Sequence, residues 1–308
     1  MTLVEVIRKI EVIASSQPSV NMVVENDVFR LNAKADARYG VFAWTQGLHS
    51  ASLESGMVNY YFTFFYVDRL RNDKSNEIEI QSTGMQTIRN IIGRLVEEGV
   101  YVEQSYNYRA FNQRFLDECA GVFCNVIISV PLVACADILV NDIESWRSRI
   151  RENGVSLSGV IRLMEHLALS QPPVRMVVQN DVFRLSAKAD ARYGVFAWTQ
   201  GQHTGFPDSG FVDYAFTMFY VDRLKNDLSN QIEIQSAGVQ TLANIIRTMD
   251  EAGVFSESEF TLQVFNQRFM DECAGVFCNV TFSAPAGSVC PEAFGDFNDD
   301  FNDDFYTL

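Results

Sequence analysis

Three histidines and two pairs of adjacent carboxylates are the side chains of this sequence whose types suit chemistry. The histidines are His49, His166 and His203. None of them belongs to a zinc-ligand, nucleophile-elbow or phosphate-binding motif. His49 precedes Ser50 in a segment that differs between the two halves of the chain, which favours a polar surface residue. We therefore predict no catalytic residue, no metal ligand and no cofactor.

The carboxylate pairs are Asp117 with Glu118 and Asp271 with Glu272. Paired carboxylates carry out acid–base catalysis when they converge on one point. Adjacent side chains on a strand or helix point in different directions. The spacing therefore favours a cap or an ion pair with Arg114 over catalysis.

The six cysteines include Cys119 and Cys124, which return later as Cys273 and Cys278. No C-x-x-C spacing occurs, so neither a zinc site nor a redox motif is indicated. Free cysteine is among the most frequently buried residue types. We predict reduced, buried thiols.

Composition restricts the partners of the chain. The formal net charge is -15 at pH 7 and 47% of the residues are hydrophobic. Tight binding to nucleic acid needs clustered Lys and Arg, so this net charge argues against such binding. No apolar run approaches the roughly 20 residues that span a bilayer. These features predict packed cores, no membrane association and synthesis in the cytoplasm of the host cell.

A long internal repeat organises the sequence. The segment NDVFRLNAKADARYGVFAWTQG, which begins at Asn26, returns almost unchanged at Asn180. Between positions 22 and 131, 73 of 110 residues are identical to the residue 154 positions later, with no insertion or deletion. The segments before each copy also match. We predict two homologous domains, at 1–131 and 155–285, separated by a linker helix at 132–154 and followed by an acidic, aromatic tail at 286–308.

Two short windows differ between the copies. They are SASLE at Ser50 against TGFPD, and YVEQSYNYRA at Tyr101 against FSESEFTLQV. Such segments are typical of loops or exposed edges, where each copy can acquire its own neighbours. With the linker, the tail and one strand, they supply the predicted interface residues: Ser50, Glu54, Tyr61, Phe65, Tyr101, Tyr106, Tyr108, Trp146, Phe255, Phe260, Phe297, Phe301 and Phe305.

Periodicity predicts the same α+β order in both copies: helix, several antiparallel strands, long helix, loop and closing strand. The strand VNYYFTFFYVDRL is apolar on both faces, so it is expected to be central or to press one face on another subunit. Asn76 with Glu79, and Asn230 with Glu233, predict capping boxes before the long helices. Gly99 is expected to end the first of these helices.

The tail repeats FNDD and alternates Phe297, Phe301 and Phe305 with aspartates. One interpretation is a disordered solubilising tail. The other is a docking segment whose aromatic rings anchor in a neighbouring protein. The sequence leaves both open.

The series VFAW, YFTFFYVDRL with NDxSN, a long helix and FNQRFxDECAGVFCNV resembles tail-terminator or tail-completion proteins of tailed bacteriophages, especially ring proteins of crAss-like phages. The resemblance covers about residues 1–131 and 155–285. It implies a non-enzymatic virion protein that forms a homo-oligomeric ring in the tail, contacts portal, connector or other tail proteins, and lets double-stranded DNA pass without tight binding. The alternative is a soluble tandem-domain adaptor that binds another protein.

Overall fold

The computed structural model describes residues 1–25, 39–103, 105–112, 119–132, 140–179, 193–206, 210–225, 227–266 and 273–286. Side chains are not described at 140–142 and 206. Five helices and one 14-stranded sheet occupy these ranges, which confirms the α+β class. The carboxylate pairs, Arg114 and the tail aromatics lie outside the described residues.

Each repeat contains the same elements in the same order. The first has α1 (Leu3–Ser15), β1 (Met22–Glu25), β2 (Val41–Gln46), β3 (His49–Ser52), β4 (Met57–Arg69), α2 (Glu77–Glu97), β5 (Tyr101–Val102), β6 (Tyr108–Asn112) and β7 (Cys119–Pro131). Then α3 (Val140–Asn153) leads into the second repeat. That repeat has α4 (Leu157–Leu169), β8 (Met176–Gln179), β9 (Val195–Gln200), β10 (Thr204–Phe206), β11 (Phe211–Arg223), α5 (Gln231–Glu251), β12 (Phe255–Ser256), β13 (Glu259–Asn266) and β14 (Cys273–Pro285).

The opening helix α1 begins with a capping box. The Thr2 hydroxyl accepts a hydrogen bond from the Glu5 amide, and the Thr2 amide donates to Glu5 Oε2 at 2.7 Å. This reciprocal pair satisfies two backbone donors that the helix itself leaves free. The apolar stripe of α1 is buried against the sheet.

The long strands β4 and β11 form the centre of each half of the sheet. In the first repeat, β4 pairs antiparallel with β7 along its whole length and with β2 and β3 on its other edge. Its residues Val58, Tyr60, Phe62, Phe64 and Tyr66 are all buried on one face, as the alternation predicted. One correction applies to the expected antiparallel sheet: β1 pairs parallel with β2, and β8 parallel with β9.

Helix α2 crosses the buried face of the sheet at a glycine. A Cβ on Gly84 would lie 2.7 Å from Val122 Cγ2 and 2.8 Å from Tyr66 Cδ1, so a side chain there would push the helix off the strands. Past the end of α2, Gly99 adopts φ +79, the left-handed conformation expected of a residue that closes a helix. The predicted end of α2 is confirmed.

The predicted capping boxes at Asn76 and Asn230 are wrong. Both residues occupy the N-cap position, but neither side chain caps its helix. Asn76 Oδ1 instead accepts from the Arg71 amide at 2.8 Å, and its Nδ2 donates to the Arg69 carbonyl at 3.1 Å. The side chain therefore bridges the strand end and the turn before α2. Asn230 makes the equivalent two bonds in the second repeat.

Helix α3 (Val140–Asn153) lies within the predicted linker at 132–154, and residues 133–139 lie outside the described ranges. Helix α3 ends before Gly154, which has φ +67. Ile150 is 2% exposed, and Ile143 and Trp146 pack partly buried against the main core. Arg147 Nε also donates to the Glu251 carbonyl of α5. The linker is thus packed against the second repeat.

The sheet continues from one repeat into the other. Strand β3 of the first repeat pairs antiparallel with β13 of the second, and one buried cluster contains residues of both repeats. The division into two separate domains stays a prediction, because strands and core are shared across the boundary.

Candidate interaction surfaces

The junction between the repeats is formed by two of the windows that differ between the copies. Glu259 lies opposite Ser52, Phe260 opposite Ala51, Thr261 opposite Ser50, and Leu262 opposite His49. The ladder is extended by a hydrogen bond from the Leu53 amide to the Ser258 carbonyl at 2.9 Å. Two predicted interface residues, Ser50 and Phe260, therefore meet a neighbouring repeat within the same chain.

A helix pair reinforces this junction on one face of the sheet. The Val4 amide of α1 donates to Ser236 Oγ of α5 at 3.4 Å. Arg8 Nη2 lies 3.6 Å from Glu233 Oε1, an exposed ion pair. Helix α1 thus packs both on its own α2 and on α5 of the other repeat.

A line of polar side chains crosses the junction through His49. The Tyr61 amide donates to His49 Nδ1 at 3.3 Å, which leaves His49 Nε2 to donate to Gln46 Oε1 at 3.1 Å. Gln46 Nε2 then donates to Gln235 Oε1 of the second repeat at 3.1 Å. Each acceptor in the line accepts a hydrogen bond from the preceding group.

The prediction that His49 is a polar surface residue is wrong. Its side chain has 0% exposure, and burial lowers its pKa from 6.5 to about 4. Its ring packs edge-on against Tyr60, with centroids 5.3 Å apart. The sequence concealed this because β13, which covers the histidine, is more than 200 residues further along the chain.

His203, the counterpart of His49, makes the same local bonds in a more open setting. The Ala215 amide donates to His203 Nδ1 at 3.2 Å, and Nε2 lies 3.3 Å from Gln200 Oε1. His203 is partly exposed. Strand β10, which begins at the next residue, pairs with β11 and, among the described residues, with no second strand.

The other predicted interface residues vary in exposure. Tyr101 is 60% exposed and Phe255 is 47% exposed, while Phe65 is only 8% exposed. Phe65 belongs to a second, smaller cluster of buried apolar residues, and its role in an interface stays a prediction. Glu54 is exposed, and the remaining four are half-buried: Tyr61, Tyr106, Tyr108 and Trp146.

A groove runs along the C-terminal half of α2, between residues 16–18 and the residues at and after β5. It has a volume of about 760 Å³ and is lined by residues that include Arg89, Arg94, Glu97, Glu103 and Tyr106. Its polar lining carries both signs of charge. In the second repeat the counterparts of Arg89 and Tyr106 are Ala243, with 0% exposure, and Phe260, with 6% exposure. The groove therefore includes positions that the second repeat buries.

The cysteine thiols in the described part of the chain are buried. Cys119, Cys124, Cys273 and Cys278 are buried and form no disulfide, as predicted. Burial raises the pKa of the Cys124 thiol to about 11 and that of Cys278 to about 12, which disfavours the nucleophilic thiolate. Within the described ranges, no group of three or more His, Cys, Asp or Glu is arranged to hold a metal ion.

Among the described helices, none has the length and apolar character required to cross a membrane. A scan against protein-family models finds no match to this chain, and a search of curated protein sequences finds none either. The resemblance to phage tail proteins stays a prediction from the motifs.

Proposed function

We propose that this chain is a structural, ring-forming protein of the tail or head-to-tail region of a bacteriophage. The observation that carries the proposal is the head-to-tail junction of the repeats. Strand β3 of the first repeat pairs with β13 of the second repeat, and β13 is the counterpart of β6. A contact between unlike surfaces repeats from unit to unit, and it closes into a ring where the rotation allows.

The open ends of the chain support this proposal. The counterpart of β13 is β6, and the counterpart of β3 is β10. Both have one strand neighbour in the described part of the chain. An edge strand with free backbone groups is a template for pairing with another chain. A second copy offers the matching edge.

The net charge suits a conduit for DNA. At -15, the chain repels the phosphate backbone, and a passage that repels DNA does not hold it during transit. In this proposal the ring encloses the genome path, contacts the rings above and below it, and assembles in the host cytoplasm before it joins the virion. Its role requires binding surfaces and no catalytic group.

The test is the mass of the purified chain by native mass spectrometry, together with imaging of phage particles. We expect a closed multiple of the 34.8 kDa chain, in solution or within particles. A chain that is monomeric at every concentration and absent from particles would contradict the proposal and favour the adaptor alternative.

A further inference from the structure

The junction inside the chain is a template for a contact between chains. It consists of the β3–β13 ladder, the α1–α5 helix contact and the polar line through His49. Each of these parts has a counterpart 154 positions away, on elements at the two open ends of the chain.

Helix α2 exposes the stripe that α5 buries. Positions 232, 236, 239 and 243 of α5 lie on one face, because they are spaced four, three and four residues apart. Ser236 on this stripe bonds α1, and Val239 is 1% exposed. The matching positions of α2 are open, since Ile78 is 79% exposed and Met85 is 40% exposed. Two of the four matching side chains, Ile78 and Met85, are apolar, and their exposure indicates a missing neighbour.

Helix α4 shows the complementary difference. Leu3 and Ile7 of α1, on the side that meets α5, have 0% and 3% exposure. Their counterparts Leu157 and Ile161 are only half-buried. The ion pair between Arg8 and Glu233 also has both of its counterparts, Arg162 on α4 and Glu79 on α2. Charge and apolar character are therefore retained on both open sides.

The strand edges differ in the same sense. Strand β13 begins at Glu259, whereas β6 begins at Tyr108, so residues 105–107 lack the strand conformation of their counterparts 259–261. Residues 259–261, together with Leu262, pair with β3. The segment is extended into a strand in the repeat where a partner is present. This favours strand formation on docking.

We propose that the β6 and α2 side of one chain binds the β10 and α4 side of a second copy, in the register of the internal junction. Tyr108 then lies opposite His203, Asn107 opposite Thr204, Tyr106 opposite Gly205, and Ser105 opposite Phe206. The proposal rests on the proposed ring and names the contact that builds it. Every repeat in the ring then has the same two neighbours.

The same register completes the polar line in each chain. Gln200, which lies beside His203, takes the place of Gln46, and Gln81 of the next copy takes the place of Gln235. Gln81 is half-buried, and its Nε2 donates to Glu77 at 3.2 Å, which leaves its amide oxygen for Gln200. His203 becomes covered in the way that His49 is covered.

The contact between chains is more polar than the internal one. Arg89 replaces the buried Ala243, so a guanidinium enters a position that is apolar in the second repeat. Pro207 replaces Leu53, whose amide donates to Ser258, and proline has no amide hydrogen. We therefore expect conditions in which the ring dissociates and each chain stays folded.

Two variants that block opposite sides test the proposal. Met85→Lys places a charge on the α2 stripe. Gly205→Lys places a charge at the position that corresponds to the buried Ala51 of the internal junction. In the single chain a Cβ at Gly205 meets nothing within 4 Å. Both positions are exposed in the single chain, so we expect both variants to fold. The matched control is Val96→Lys, which changes a 53% exposed apolar residue of α2 whose counterpart is Asp250.

The readout is native mass in solution, or incorporation into particles where the ring forms only there. We expect each blocked variant alone to lose the closed-ring mass and the control to keep it. An equimolar mixture of the two blocked variants is expected to give a dimer with one chain of each, because one unblocked pair of surfaces remains. Wild-type ring mass in both variants would overturn this contact and leave the ring proposal standing. A wild-type chain that never assembles, in solution or in particles, would overturn both.

Discussion

The two repeats have nearly the same sequence but not the same surroundings. His49 is fully buried and His203 is partly exposed, although both make the same bonds within their own repeat. Val239 is 1% exposed and Met85, at the equivalent position, is 40% exposed. Each difference falls where one repeat touches the other. Burial in this chain is thus decided by which neighbour is present as much as by residue type.

The largest expected difference between the repeats is at Phe260. Phe260→Ala should lower the free energy of unfolding by about 3 kcal/mol or more, because it empties a buried position opposite Ala51. The matched substitution Tyr106→Ala should cost about 1 kcal/mol, since Tyr106 is half-buried and lacks that neighbour in the single chain. Urea unfolding at protein concentrations where chains are separate measures both. Equal losses would contradict the unequal roles of the two edges.

A pH dependence separates the two histidines. The folded pKa of His49 is about 4 against 6.5 for the free side chain, so the unfolded chain binds the proton more readily between these values. Stability is full above pH 6.5 and falls as the pH drops toward 4, by about 3 kcal/mol. The physical cause is burial, which disfavours the charged imidazolium. A protonated Nδ1 would also face the Tyr61 amide, which is itself a donor.

The measurement is the urea midpoint of the chain between pH 4 and 7. His49→Gln should remove most of this pH dependence, while His203→Gln should leave it unchanged. A pH profile that survives His49→Gln would assign the acid sensitivity to other groups.

The smallest expected difference lies far from the junction. Asn76→Ala and Asn230→Ala each remove two hydrogen bonds between a side chain and the backbone before a long helix. Each should lower the free energy of unfolding by about 1 to 2 kcal/mol, by the same amount in both repeats. Thermal unfolding of the two variants checks this. Unequal losses would show that the contrast between the repeats extends beyond their junction.

Local patterns predicted the elements well. The alternation from Val58 to Tyr66 identified the buried face of β4, and Gly99 marked the end of α2. These features depend on residues that are close in sequence. The capping prediction at Asn76 failed for a similarly local reason, because the turn before α2 offered the side chain a better pair of backbone partners. The parallel pair β1–β2 carried no distinct pattern.

The sequence alone determined the α+β class, the repeat and the windows in which the copies differ, because each of these follows from composition, spacing or direct identity. Only the tertiary structure determined which strands those windows pair with. Strands β3 and β13 meet although they are more than 200 residues apart, and no local pattern specifies which edge pairs with which. The same long-range pairing buries His49 and leaves His203 partly exposed, since a histidine loses its water only when another part of the fold covers it.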